Sequence, residues 1–194
     1  KDERVSIEIG FALKGVSYKE FGSDRETKIE WLKGDGQADY DIATKILNIR
    51  DFNIESSLGD VVVRGTLDFA KDFKTGGIDV EISLPQIKLD QWAVLLPPSI
   101  TEKVQLDGES RLNMLLRGGL DKLSAKMESN FTEAMIHMPN VFEKQKGKAL
   151  EVSGQFNLEN RARMTGEFEL RFLDTVAKGT LLQFIPATSD YEVT

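Results

Sequence analysis

Apolar and polar residues alternate with a period of two along most of this chain, and this pattern constrains the fold more than any other feature. In the segment LGDVVVRGTLDF, one side of an extended strand would carry four apolar residues, Val61, Val63, Leu67 and Phe69. Because successive side chains of a strand point to opposite faces, the pattern is typical of a strand with one buried face. It returns in segment after segment, separated by short turns. The sequence therefore predicts about eleven or twelve strands in an antiparallel meander.

Glycine recurs inside these segments on the apolar side, at Gly65, Gly108, Gly154 and Gly166. A glycine within a strand marks a bulge, a bend or the close approach of another surface. The apolar sets are also longer than the strands of a small sandwich need. We therefore predict a mainly β fold, in which a long, bent antiparallel sheet has one apolar face.

Two segments carry signals other than alternation. Gly34-Asp35-Gly36 predicts a hairpin turn between two strands, because an Asp-Gly pair tolerates positive φ. The segment KLDQWAVLLPPS predicts one short helix near residues 90–96, with Asp90 as its N-cap. Pro97-Pro98 would end that helix, since proline lacks the N–H group that a helix needs.

The composition is that of an ordered globular chain, and it excludes several classes of protein. The chain has 194 residues, of which 40% are hydrophobic, and this suits a single β-rich domain over residues 1–194. Its net charge of −7 is opposite to the cationic field that nucleic-acid binding needs. The absence of cysteine rules out disulfide scaffolds and zinc ribbons. The longest apolar runs fall short of the roughly 20 residues of a membrane span, and the chain begins at Lys1, so we expect an excised soluble segment of a longer protein, or a processed form.

The sequence carries no catalytic motif. It contains neither G-x-S-x-G, nor a P-loop, nor G-x-G-x-x-G. His137 is the only histidine, and a lone histidine without cysteine does not make a zinc site. Acid pairs such as Glu167/Glu169 arise on the outward side of any strand in an acidic protein. We therefore expect a protein that is not an enzyme and that uses no cofactor or metal.

Two long passages resemble a known family. VVVRGTLDFAKDFKTGGIDVEISLPQIKLDQWAVLLPPS is similar to a strand–strand–I-x-L-x-x-W-x-x-L-L-P passage of the AsmA-like periplasmic bridge proteins. QLDGESRLNMLLRGGLDKLSAKMESNFTEAMIHMPNVFEKQKGKALEVSGQFNL resembles the next passage of that family, down to Met138-Pro139 and a lysine-glycine loop. The resemblance covers about residues 47–172 and is nearest to the large, YhdP-type members.

The resemblance implies a U-shaped sheet with an apolar concave face that holds lipid acyl chains. It also implies phospholipid transport between inner and outer membranes, outer-membrane homeostasis, and a periplasmic location with an anchor in the inner membrane outside this segment. Partners would be phospholipid acyl chains and components of both membranes. The lysines of one loop, Lys144, Lys146 and Lys148, would contact head groups. The residues expected to face lipid are Val63, Leu67, Phe69, Val80, Ile82, Leu112, Met114, Leu116, Met127, Phe156, Leu158, Phe168 and Leu170.

An alternative of another class remains open at this point. An alternating apolar face is also what the core of a closed β-sandwich requires, and closure cannot be deduced from alternation. Such a domain would be a scaffold that recognises protein or glycan through its loops. For the lysine loop, a solvated hairpin is the interpretation that we favour over contact with head groups.

Overall fold

The computed structural model describes residues 3–19, 26–93, 101–160 and 163–184. Twelve strands and one short helix make up this part of the chain. The strands are β1 (Arg4–Lys19), β2 (Glu26–Asp41), β3 (Ile46–Ser56), β4 (Gly59–Asp68), β5 (Ile78–Lys88), β6 (Gln105–Gly119), β7 (Lys122–Asn130), β8 (Ala134–Met138), β9 (Phe142–Lys144), β10 (Leu150–Glu159), β11 (Arg163–Phe172) and β12 (Thr175–Phe184). The helix α1 (Leu89–Trp92) follows β5.

The strands form one antiparallel sheet that does not close on itself. Its order is β1-β2-β3-β4-β5-β6-β7-β10-β11-β12, so nearly every strand pairs with its neighbour in sequence. Within the described ranges, β1 pairs only with β2, and β12 pairs only with β11. The predicted mainly β meander is confirmed, and the closed sandwich is not the architecture observed.

Along one of its edges, the long strand β6 pairs with two different strands. Gly108 lies next to the boundary between these two pairings. Residues 105–108 pair with β8, and residues 111–119 pair with β7. Gly108 has φ +83°, and a Cβ there would lie 3.3 Å from the Cα of Ala134. Glycine is required at such a backbone conformation, because other residues adopt it at a cost. The small β8–β9 pair therefore branches off beside the main sheet.

Register shifts bend the first half of the sheet. They occur in four successive pairings, from β2–β3 to β5–β6. The shift in β3 falls between Ile49 and Phe52, and Gly65 pairs with Ile49 at its border. Gly65 has φ +138°, and a Cβ there would come within 2.7 Å of the Cα of Val80. The bend expected at this glycine thus coincides with a bulge, which increases the local twist.

The hairpin expected at Gly34-Asp35-Gly36 is wrong, because β2 runs straight through it. The two glycines lie opposite Phe11 and Phe52, residues of the strands on either side. The ring of Phe11 occupies the space above Gly34, so a Cβ at Gly34 would be 2.5 Å from its Cε1. Here glycine makes room for an aromatic ring and does not form a turn.

The helix and the buried core lie together in the middle of the strand order, where β5 ends and β6 begins. α1 is a single turn in which Asp90 is the second residue, so the N-cap position belongs to Lys88 and the expected Asp90 cap is wrong. Residues 94–96 of the predicted helix lie outside the described residues. Leu84, Ile87, Leu89 and Ala134 form the buried cluster, with Trp92 packed against it. Among the described residues, no helix is long and apolar enough to cross a membrane.

Candidate functional site

Two continuous rows of apolar residues cross the sheet at right angles to its strands. Each row takes one residue from each of the ten strands of the main path, and each step is a directly paired position. Row A is Ile7, Ala38, Ile49, Gly65, Val80, Leu116, Ala125, Phe156, Gly166 and Leu181. Row B is Ile9, Gly36, Phe52, Val63, Ile82, Met114, Met127, Gly154, Phe168 and Gly179.

These rows form a long apolar surface whose residues are mostly half-buried. Only Ala38 and Val80 in them are buried, and Ile9 (49% exposed) and Phe168 (39% exposed) are the exposed ones. Neighbouring strands lie about 4.8 Å apart, so a row over ten strands is about 43 Å long. That is roughly three times the length of one lipid chain, since a chain spans about half of a hydrocarbon core that is about 30 Å thick. We call the face that carries the two rows the apolar face.

The buried cluster covers the apolar face beside its central strands, where α1 and β8 pack against β5 and β6. Trp92 of α1 donates a hydrogen bond from Nε1 to the carbonyl oxygen of Leu58 at 2.6 Å, which ties the helix to the turn between β3 and β4. Val61, Leu112 and Ile136 pack against the same cluster. Towards β1 and β12, the described residues place no further element over the rows.

The pairing brings the thirteen predicted lipid-facing residues to this same face. Val80, Leu116 and Phe156 belong to row A. Row B contains Val63, Ile82, Met114, Met127 and Phe168. Leu67, Leu112, Leu158 and Leu170 are in phase with them on the same strands. Phe69 follows β4 at the edge of this face, where its ring stacks on Phe73 at 5.3 Å. That these residues bind lipid stays a prediction.

The predicted lipid-facing residues include none from β1, β2 or β12, although the pairing brings these three strands into the apolar face. The segment containing Gly34 and Gly36 suggested a turn, and the first forty residues carried no recognisable motif. In β12, Leu182 pairs with Thr165 on the other face and is 60% exposed, whereas Leu181 lies in row A. One signal was available in the sequence. Two glycines that are two residues apart, with phenylalanines in the segments before and after them, indicate a strand. In such a strand, rings from the neighbouring strands lie over the glycines.

The opposite face is polar and is linked across strands by ion pairs. Arg64 binds Asp51 at 2.5 Å, and Arg117 binds Asp79 at 3.2 Å. On β11, hydrogen bonds from Lys178 and then Arg171 hold the pKa of Glu169 below its usual value. Exposed pairs of this kind each contribute little stability, about 0–1 kcal/mol. They do oppose a slip in register, because a shift by one residue would place these charges on the apolar face.

A depression of about 1030 Å³ lies on the polar side, at the ends of β5, β6, β7, β10 and β11. Carboxylates outnumber cations among its lining residues, which include Glu109, Arg111, Glu128, Glu151 and Arg171. This depression is therefore polar, and a concave apolar face stays a prediction. Within the described part of the chain, no group of three His, Cys, Asp or Glu residues could hold a metal ion.

Lys144 does not fit its expected role as a head-group contact. Its side chain is 0% exposed, and its Nζ donates hydrogen bonds to the carbonyl oxygens of Ala134 at 2.6 Å, Thr132 at 3.0 Å and Gln145 at 3.2 Å. An ammonium group has three donors, so all of them are used. Burial lowers the pKa of Lys144, while the charge of Glu133 opposes that shift. The lysine ties the loop before β8 to β9, whereas Lys146 and Lys148 are exposed.

Comparison with known proteins identifies no relative. No family model, no curated protein and no solved structure matches this chain. The apolar face is the candidate site because it combines a large area with exposure and continuity. Its chemistry is limited to apolar contact and the exclusion of water.

Proposed function

We propose that this protein binds lipid acyl chains on its apolar face, as a non-enzymatic segment of an AsmA-like bridge protein that carries phospholipid between two membranes. The observation that carries the proposal is the pair of uninterrupted rows over ten strands. Soluble proteins rarely leave a contiguous apolar area of this size uncovered, and such areas usually mark a binding surface. The resemblance of residues 47–172 to the AsmA-like family adds a periplasmic location and inner-membrane anchorage to the proposal.

The physical chemistry of the face suits a ligand that slides. Burial of one methylene group contributes about 0.8 kcal/mol, so a chain laid along a row gains free energy without any directional contact. The contacts are equivalent from one strand to the next, because every step adds another aliphatic side chain, ring or glycine. A chain could therefore advance from strand to strand without breaking a hydrogen bond.

The head groups would remain in water beside the face. Lys146 and Lys148 are exposed in the loop after β9 and could meet a phosphate group. Lys146 already lies 3.8 Å from Glu133, which weakens its attraction for an anion. Head-group binding is consequently a minor part of the proposal, and Lys144 has no part in it.

Photo-crosslinking from both faces of the sheet tests this proposal. A photoreactive amino acid is placed at Leu67 or Met114 on the apolar face, and at Glu81 on the polar face as a matched control. Each variant is expressed in bacteria, irradiated and extracted, and covalently attached lipid is measured by mass spectrometry. We expect lipid adducts at the first two positions and few at position 81. Lipid-free protein, or equal adducts from both faces, would refute the proposal.

A further inference from the structure

The strand β12 forms one edge of the sheet, and it lacks the features that usually protect an edge strand. Among the described residues, β12 pairs only with β11, so the N–H and C=O groups of every second residue point away from the sheet. Edge strands are normally protected by several charges, a proline or a bulge. β12 carries a single charged residue, Lys178, contains no proline and pairs with β11 without a register shift. Such an edge can accept another strand.

The strand at the other edge of the sheet, β1, is better protected. It carries the charged residues Glu8 and Lys14, and both are exposed. Its pairing with β2 omits Gly15, which has φ +65°. Charges and an irregular backbone both hinder the addition of a strand. Of the two edges, β12 is therefore the one that favours a partner.

Two apolar side chains of β12 lie exposed on the polar face. Val176 is 48% exposed and Leu182 is 60% exposed. Their direct partners on β11 are Arg171 and Thr165, which are polar. Single exposed apolar residues are common on protein surfaces, but these two lie on a strand whose outer edge has no partner among the described residues. The addition of a strand beside β12 would cover both of them.

The positions of these two residues are self-complementary. Val176 and Leu182 lie equally far from Gly179, on either side of it along β12. We consider two β12 strands that pair antiparallel with Gly179 of one copy opposite Gly179 of the other. In that register, Val176 of each copy lies opposite Leu182 of the other. Each exposed apolar side chain then meets an apolar side chain of the second copy.

The one charged residue of β12 does not oppose this pairing. Lys178 lies opposite Thr180 in the same register, so no two like charges meet across the two strands. The Nζ atom of Lys178 lies 3.1 Å from a carboxylate oxygen of Glu169 on the adjacent strand β11, and this ion pair holds the charge over its own sheet. The edge is therefore compatible with a second copy of itself in charge as well as in the placement of its apolar residues.

We infer that β12 is a dimerisation edge, at which a second copy of this chain adds its own β12 antiparallel around a two-fold axis at Gly179. The outward main-chain groups of the two strands hydrogen-bond to each other, as in other cases of β-strand addition. Ala177 lies opposite Leu181, so the apolar faces of the two copies become continuous. A two-fold contact ends with two chains, whereas pairing of β12 with β1 would continue without limit and would use the protected edge. This inference goes beyond the proposed function and does not depend on it.

Sedimentation equilibrium of the unaltered protein gives the first test. We expect a reversible equilibrium between one and two chains at protein concentrations of about 1–300 µM, the range of small and transient interfaces. Hydrogen exchange at low and at high protein concentration locates the contact. Protection of the β12 amides should rise at high concentration, whereas protection of the β1 amides should stay unchanged.

Charged substitutions at the two self-complementary positions test the register. Val176→Glu and Leu182→Lys should each weaken dimerisation about tenfold or more, since each places a charge opposite an apolar residue. The double variant Val176→Glu/Leu182→Lys places opposite charges across both pairs, and its dimerisation should recover to within about threefold of the unaltered protein. The matched control is Val141→Lys, because Val141 is 76% exposed and lies between β8 and β9, away from β12. This control should dimerise normally, and circular dichroism should show the same fold for all variants.

Recovery of dimerisation in the double variant supports the inference, and several other results overturn it. Protein that stays monomeric up to about 300 µM overturns it, even if another strand of the same chain already protects the β12 amides. Assemblies larger than two chains overturn it as well, because they show head-to-tail contact. Single variants that dimerise normally, or a double variant that does not recover, overturn the register and the inference with it. None of these results bears on lipid binding, so the proposed function is tested separately.

Discussion

Replacement of the buried lysine, Lys144→Met, should destabilise the protein by about 3 kcal/mol. A hydrogen bond to a charged group contributes about 1.5–3 kcal/mol, and the Nζ atom makes three of them to backbone carbonyls. Burial of an ammonium group costs several kcal/mol, which offsets about half of that gain. Methionine fills a similar volume without the charge. The difference in the free energy of unfolding between the two proteins therefore measures the net loss of the three hydrogen bonds.

Urea unfolding at pH 7 gives the free energy of unfolding for both proteins, and hydrogen exchange locates the change. We expect exchange to rise first in β8 and β9, because Lys144 connects the loop at Thr132–Ala134 to β9. The control is Lys146→Met, two residues away, whose side chain is 67% exposed and whose ion pair with Glu133 spans 3.8 Å. Loss of that exposed pair should cost less than about 0.5 kcal/mol.

A Lys144→Met protein within about 0.5 kcal/mol of the unaltered one would contradict this reasoning. It would mean that the cost of desolvating the ammonium group equals the free energy gained from its hydrogen bonds. Some buried ion pairs behave in this way, because their replacement by apolar residues does not destabilise the protein. Increased exchange throughout the sheet, without a preference for β8 and β9, would contradict the local role of the lysine.

Two further predictions concern the backbone and the acid sensitivity of the sheet. Gly65→Ala should lower the free energy of unfolding by about 2 kcal/mol or more, because φ is +138° there and the new Cβ would press on the backbone of Asp79 and Val80; an unchanged urea midpoint would contradict this. The pKa values of Asp39, held down by the Ser6 hydroxyl and then by Arg50, and of Glu169 lie below their unfolded values. Their contribution to stability is therefore complete above about pH 5, beyond both unfolded values, and is lost as the pH falls through the folded values. Asp39→Asn/Glu169→Gln should show a smaller drop in urea midpoint between pH 7 and pH 3 than the unaltered protein, and an equal drop would contradict the assignment.

The alternation predicted the strand pattern well because it depends on geometry that each strand carries by itself. Val63 and Leu67 share a face wherever the strand is extended, and the pairing only joins that face to its neighbours. The predicted helix was less accurate, with its start at Leu89 and Asp90 inside it. A single turn has few residues, so the apolar packing of Leu89 and Trp92 decides its position more than a capping residue does.

Glycine was the residue type whose role could not be deduced locally. Gly34 and Gly36 satisfy every local rule for a turn, yet they lie in mid-strand under rings from β1 and β3. Lys144 likewise resembles its neighbours Lys146 and Lys148 in sequence, but only Lys144 meets three carbonyl oxygens. In both cases the atoms that determine the role of the residue belong to other segments of the chain.

The sequence by itself determined that this protein is built from strands with one apolar face, because the period of two is a local consequence of extended backbone geometry. The tertiary structure decided that the sheet stays open from β1 to β12, that phenylalanine rings lie over glycines, and that one lysine is buried. Those features depend on which distant strands become neighbours and in what register. Alternation is compatible with many such pairings, and only the packing of the folded chain selects one.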